Sequence, residues 1–212
     1  MPRASIEIGT PDDVRIRSGR ATLGSRGVDL VFRYYPLEWL ADPRFAPLLE
    51  AVGSGALAML PPAHALIPQS KAFMALACEL EAQSFFPPTE AAAIRQYVAT
   101  TALTPEPLGR RPYVIKPYLE REGHGVRFST DLSRRERRRL VDGPVVCQER
   151  LDVLRACVPI ATAHGWTREP RHLIFGVFLA GREIAGLYTR AGSRITGREA
   201  VYLPAVLRTV SR

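Results

Sequence analysis

The sequence predicts an α+β fold in which mixed or antiparallel sheets are flanked by helices. Strand-like alternation occupies residues 13–34 and returns from residue 113 onward, while helical periodicity fills the interval at 42–53, 71–82 and 89–100. An apolar content of 46% over 212 residues is enough to bury a core, either as one domain of two lobes or as two small domains.

Around Ser18-Gly19 and Ser25-Arg26-Gly27 the first segment alternates apolar and polar residues, which reads as a hairpin or two short strands ending in residues 28–32. Pro36 breaks the pattern. Asp42-Pro43 then opens a helical stretch carrying Phe45, Leu48, Leu49 and Val52, with Gly53 and Gly55 to end it. The short apolar run 56–60 suits a buried strand. Ser70 is placed to cap a helix over 71–82 with Phe73, Leu76, Ala77 and Leu80 facing inward, and Thr89 to cap another over 89–100. A proline-rich connection at 104–112 marks the expected boundary between an N-terminal α/β lobe, 1–106, and a second lobe, 107–212. That second lobe is expected to contain strands at 113–116, 126–128, 145–148, 172–179 and 183–189, with Ala180-Gly181-Arg182 as the turn joining the last two.

No apolar run reaches the ~18 residues that span a bilayer, and residues 1–10 lack the apolar centre of a signal peptide, so a cytoplasmic protein is expected. Cys78, Cys147 and Cys157 lie in no metal-ligand spacing and are expected to be reduced and buried. The formal charge of +8 is compatible with an acidic partner, whether nucleotide, nucleic acid or membrane surface. Arg134, Arg135, Arg137, Arg138 and Arg139 supply much of it, in a run that reads as a solvated helix or loop face.

Chemistry concentrates in residues 113–128, where a strand ends in Lys116 and a loop carrying Arg121, Gly123 and Gly125 leads to the next strand. Such a loop either cradles phosphates, with glycine admitting backbone N–H groups to anionic oxygens, or is a β-hairpin with a basic tip. Gln148-Glu149 closes an apolar strand, where amide and backbone groups either meet an adenine edge or simply face solvent. His64, His164 and His172 have no spacing that suggests a metal site.

Several blocks taken together resemble the ATP-grasp domain of the glutathionylspermidine synthase family. They are F-R-Y-Y-P-L-E-W-L at 32–40, Q-S-K at 69–71, K-P-x-x-x-R-E-G at 116–123, Q-E at 148–149 and G-L-Y-T-R-A-G-S-R-I-T at 186–196. The resemblance implies an ATP-grasp-like second lobe and a carboxylate-amine ligase that forms an amide through an acyl phosphate, using ATP and Mg2+ with a small acid and an amine as substrates. It further implies that Lys71 and Lys116 contact phosphates, that Gly123 and Gly125 belong to the phosphate loop, and that Arg121 lies on a closing loop. Gln148 and Glu149 would lie beside adenine, and Arg190 would match the arginine of the family's closing block. The Tyr35-to-Leu40 block reads as structural, with Trp39 and Leu40 as core anchors.

Family members carry their metal-binding acids, including an E-x-N pair, before the Tyr-Pro-x-Glu-Trp block, and residues 1–34 contain no E-x-N. No metal ligand is therefore assigned, and a further segment or a partner protein is expected to supply the metal-binding acids. Glu120, Ser70 and Ala191 also depart from the family pattern. Two other readings stand beside the ligase portion: a non-catalytic nucleotide- or partner-binding subunit, and a basic nucleic-acid-binding protein, which rests on charge alone and lacks interleaved aromatics.

Overall fold

The computed structural model describes residues 5–17 and 19–204; Ser18, expected in the first turn, lies outside them. Helices and sheets both contribute, giving the expected α+β class, and the chain divides into two compact units, Met1–Ser70 and Lys71–Arg212. The proline-rich connection at 104–112 lies inside the second unit, where the short strand Thr101–Ala102 and the turn Glu106–Leu108 pack against the strand Val145–Glu149.

In the first unit, β1 (Val14–Arg17), β2 (Arg20–Leu23) and β3 (Arg26–Val28) form an antiparallel meander. Strand β4 (Leu30–Phe32) instead runs parallel to β5 (Ala58–Leu60). Parallel pairing demands a crossover, supplied by two 3-10 turns, Leu37–Ala41 and Pro43–Phe45, and by α1 (Ala46–Gly53). Leu40, Phe45, Leu48, Ala51, Leu57 and Met59 converge with Ala21 into the core. Trp39 departs from the expectation. Leu40 is buried, but Trp39 is 53% exposed and packs edge-on against Tyr35 with 5.3 Å between ring centroids. In the tight turn, neighbouring side chains leave on different sides and only one can enter the core. A short α2 (Leu66–Gln69) ends the unit.

The second unit begins with α3 (Lys71–Ala82) and α4 (Pro88–Tyr97). The inward face of α3 differs from the one expected: Ala75 is buried, while Phe73 and Leu76 are 43% and 47% exposed. A small residue allows the helix to approach the strands Thr101–Ala102 and Val145–Glu149 closely, and this packing overrides a choice made on side-chain size alone. Helix α4 is not capped by Thr89. It starts one residue earlier, with Pro88 at the first position and Pro87 as N-cap, because proline loses nothing where the first N–H groups lack partners anyway.

Strands β6 (Thr101–Ala102), β7 (Tyr113–Pro117), β8 (Arg127–Phe128) and β9 (Val145–Glu149) form an antiparallel sheet in the order β6-β9-β7-β8. Between β8 and β9, α5 (Arg134–Val141) carries the arginine run as a largely exposed helix, opened by a capping box between Ser133 and Glu136. Leu140 and Val141 from α5 pack with Leu108, Tyr113, Ile115, Val145 and Cys147 on one face of the sheet.

A second antiparallel sheet follows in chain order: β10 (Arg155–Thr162), β11 (Gly165–Ala180), β12 (Glu183–Gly192) and β13 (Val201–Leu203). The sequence shows only the second half of β11, since Pro159 and Pro170 disguise β10 and its partner segment. Strand β10 lies at the sheet edge, where proline is tolerated. Gly181, with φ +63°, makes the expected turn. The cysteines are free, but Cys157 is exposed; on a two-faced edge strand, alternation alone turned it outward. Burial pushes the Cys147 thiol up to about 11, so it stays protonated and unreactive at neutral pH.

These packing assignments have measurable consequences. Leu108→Ala, in a fully buried position, is expected to cost about 2–5 kcal/mol in urea denaturation. Phe73→Ala should cost less than ~1 kcal/mol, whereas Ala75→Leu should cost about 1–3 kcal/mol by overpacking. The reverse ranking at 73 and 75 would mean that α3 presents its other face.

Candidate functional site

The β7–β9 register pairs Val114 with Gln148 and Lys116 with Val146, so Val114, Lys116, Val146 and Gln148 share one face of the sheet. Tyr113, Ile115, Cys147 and Glu149 take the other. On the first face Lys116 Nζ donates to Gln148 Oε1, and Gln148 Nε2 donates to Thr101 Oγ1 at 2.8 Å. Lys71, the first residue of α3, donates from Nζ to the Glu120 carbonyl at 2.6 Å and to the Tyr118 carbonyl at 3.4 Å; its backbone N–H also reaches Tyr118 O at 2.9 Å. The structure thus brings Lys71, Lys116 and Gln148 together. Burial first, and then the positive charge of Lys71, hold the Lys116 ammonium below the ordinary lysine value of 10.5.

Glu149 is turned away from this group. Adjacent residues on a strand project to opposite faces, and its carboxylate accepts from Arg111 Nη1 at 3.0 Å. Gln148 is likewise committed, being 8% exposed with both ends of its amide bonded to protein.

Beyond β7 the loop to β8 turns sharply, with positive φ at Glu122 (52°), Gly123 (72°) and Gly125 (68°). The two glycines face protein closely. A Cβ on Gly123 would stand 2.6 Å from Ile195 Cγ2, and one on Gly125 2.7 Å from Pro117 Cγ. Arg198 Nε donates to Glu122 Oε2 at 2.8 Å, so the segment after β12 holds the loop by an ion pair as well as by packing. Arg121 lies at the loop's start, its carbonyl accepting from His124 N at 2.9 Å. Arg190, on β12, donates from Nη2 to Gly197 O at 2.7 Å and lies 5.7 Å from the Tyr202 ring centroid. Its buried Nε meets no protein acceptor among the described residues, nor does the buried Thr196 hydroxyl meet a partner.

Phosphate fits the lysine pair, because an anion between two ammonium groups would relieve their mutual repulsion. Magnesium does not fit the carboxylates beside this site among the described residues. Glu120 is bonded to His124 Nδ1 at 3.1 Å, Glu122 to Arg198 and Glu149 to Arg111. Among the described residues, moreover, no group of three or more His, Cys, Asp or Glu is gathered to hold a metal ion. Thr101 escaped sequence reasoning because β6 is two residues long and carries no periodicity; only the sheet order places it beside Gln148.

The family model described as Glutathionylspermidine synthase preATP-grasp matches residues 9–208, nearly the whole chain, and the chain belongs to this family. Comparison with curated proteins gives no match. The family is ATP-dependent and typically uses Mg2+. Among the described residues, no helix is long and apolar enough to cross a membrane.

Two outcomes test the geometry. Gly123→Ala combines positive φ with a clash and should cost about 1–3 kcal/mol, more than Gly181→Ala, which has positive φ but open space. For Lys116, the unfolded chain keeps its proton up to the ordinary lysine pKa, while the folded chain releases it at lower pH. Between those two values the unfolded state binds more protons, so Lys116's contribution to stability rises with pH across that window. In urea melts, wild type should therefore gain on Lys116→Met as pH climbs towards 10.5; parallel pH profiles would show the ammonium to be unperturbed.

Proposed function

We propose that this chain forms the ATP-contacting part of a carboxylate-amine ligase acting through an acyl phosphate, with Mg2+ held by carboxylates from a further segment or a partner polypeptide. The observation that carries this reading is the pairing of Lys71 and Lys116 on adjoining elements, where Lys116 is answered by a neutral amide. Two cations held together at a sheet surface raise the free energy of the empty site, and polyphosphate is a ligand that lowers it. Family membership supports the ligase reading.

In this reading Lys71 and Lys116 hold phosphate oxygens, and the end of β9 borders adenine through its backbone at Gln148 and Glu149, the Glu149 carboxylate being turned to Arg111. The loop of Gly123 and Gly125 covers the phosphates, with Arg121 as its charged member. Arg190 stabilises charge on the transferring group, and its unpartnered Nε–H supports that role. A substrate carboxylate oxygen takes the γ-phosphoryl group as ADP leaves; the amine nitrogen then attacks the acyl carbon, expelling phosphate and losing a proton. Acid and amine are small molecules. The exposed arginines of α5 take no part, and nucleic acid is left out of the ligand set.

A second reading, a nucleotide-binding subunit without catalysis, is favoured by the commitment of Glu120 to His124, of Glu122 to Arg198 and of Glu149 to Arg111. Calorimetry distinguishes these readings from a plain scaffold. ATP should bind the isolated chain, and Lys116→Ala or Lys71→Ala should each weaken binding about tenfold or more, as loss of a charge-assisted contact demands. Binding should also weaken as pH rises and Lys116 loses its proton. Absence of heat and of thermal stabilisation at millimolar nucleotide would sink both nucleotide readings. Nucleotide binding without substrate-dependent ADP release, even with the products of neighbouring genes added, would favour the subunit.

A further inference from the structure

Thr101, Gln148 and Lys116 form a polar row across three adjacent strands. Thr101 on β6 is the register partner of Gln148 on β9, and Gln148 is the partner of Val114, two residues from Lys116 on β7. The row is shielded, with Thr101 2% and Gln148 8% exposed. The Thr101 hydroxyl donates its single proton to the Ala99 carbonyl at 2.8 Å, so towards Gln148 its oxygen can only accept. A side-chain amide has a donor end and an acceptor end. An acceptor-only partner at one end draws the NH2 group to itself and leaves the carbonyl oxygen for Lys116.

We propose that Thr101 is a positioning residue for Lys116, acting through Gln148: by fixing which way the amide points, it aims the lysine ammonium and keeps its proton on. A hydrogen bond to the charged form favours that form, opposing the burial and like charge that drive the proton off. The flipped amide would set NH2 against NH3+, losing the charge-assisted bond and adding repulsion. The charge that bears on Lys116 comes from Lys71 on α3. Arg127 on β8 pairs with Ile115, and Glu149 on β9 pairs with Tyr113, so both belong to the opposite face. Sequence gives no hint of this arrangement, since 101, 116 and 148 share no motif.

The inference deepens the nucleotide reading but is testable without nucleotide. In protein carrying 13Cε-labelled lysine, with the Lys116 signal assigned by its loss in Lys116→Met, Thr101→Val should lower the Lys116 titration midpoint by about one pH unit, a tenfold loss of proton affinity. Thr101→Ser, which keeps the acceptor, should restore it. In parallel, the Gln148 side-chain NH2 resonances of wild type should move with the same midpoint as Lys116 and stay still in Lys116→Met; this holds whether or not Thr101→Val folds. A Thr101→Val midpoint equal to wild type, or Gln148 resonances flat across the Lys116 titration, would overturn the proposal. An intact relay in a chain that fails to bind ATP would remove only the nucleotide reading. If both stand, the alkaline limit of ATP binding should shift to lower pH in Thr101→Val and return in Thr101→Ser.

Discussion

The antiparallel register of β7 on β9 is the constraint from which both the second unit's core and its site follow. Because side chains alternate, pairing Ile115 with Cys147 sends Tyr113, Ile115, Val145 and Cys147 to α5 and the turn before β7. The same alternation sends Lys116 and Gln148 to the other face. A slip of one residue would bury an ammonium among leucines and expose the apolar set. Such a slip is opposed from both sides, since the core face loses its packing and the polar face loses the bonds from Lys116 through Gln148 to Thr101. The site and the core are thus two readings of one pairing.

A lysine at such a position is destabilising for the empty fold, and the surroundings temper that cost without abolishing it. Gln148 provides a dipole in place of a charge, so the partner set against Lys116 leaves the ammonium charge itself unneutralised. A carboxylate there would have stabilised the empty protein and competed with any anion. Glu120, Glu122 and Glu149 are bonded instead to His124, Arg198 and Arg111.

The loop between β7 and β8 is latched to the segment after β12. Three residues at positive φ make it turn within a few positions, and Ile195, Thr196 and Arg198 receive it from the segment after β12. Any movement of Arg121 over a ligand therefore has to break the Glu122–Arg198 pair or carry the 195–198 segment along. That couples the loop to Arg190, whose guanidinium is bonded to Gly197.

By itself the sequence determined the class of fold, the central strands and the residues that bear charge. Strands β7 and β9 announce themselves as apolar runs ended by polar residues, α3 by its periodicity, and the Lys116 loop by its glycines. Family membership was legible in the ordered blocks at 32–40, 69–71, 116–123, 148–149 and 186–196. The tertiary structure alone decided which face of α3 is inward, that Trp39 stays half outside, and that β10 exists beneath its proline. It also decided that Gln148 and Glu149, neighbours in every sequence reading, leave on opposite faces, and that Thr101 stands behind Lys116. The physical reason is common to all of these. Periodicity and propensity are local, whereas the direction of a side chain and the partner it meets are fixed by pairing between strands far apart in the chain, where a two-residue strand carries as much consequence as a long one.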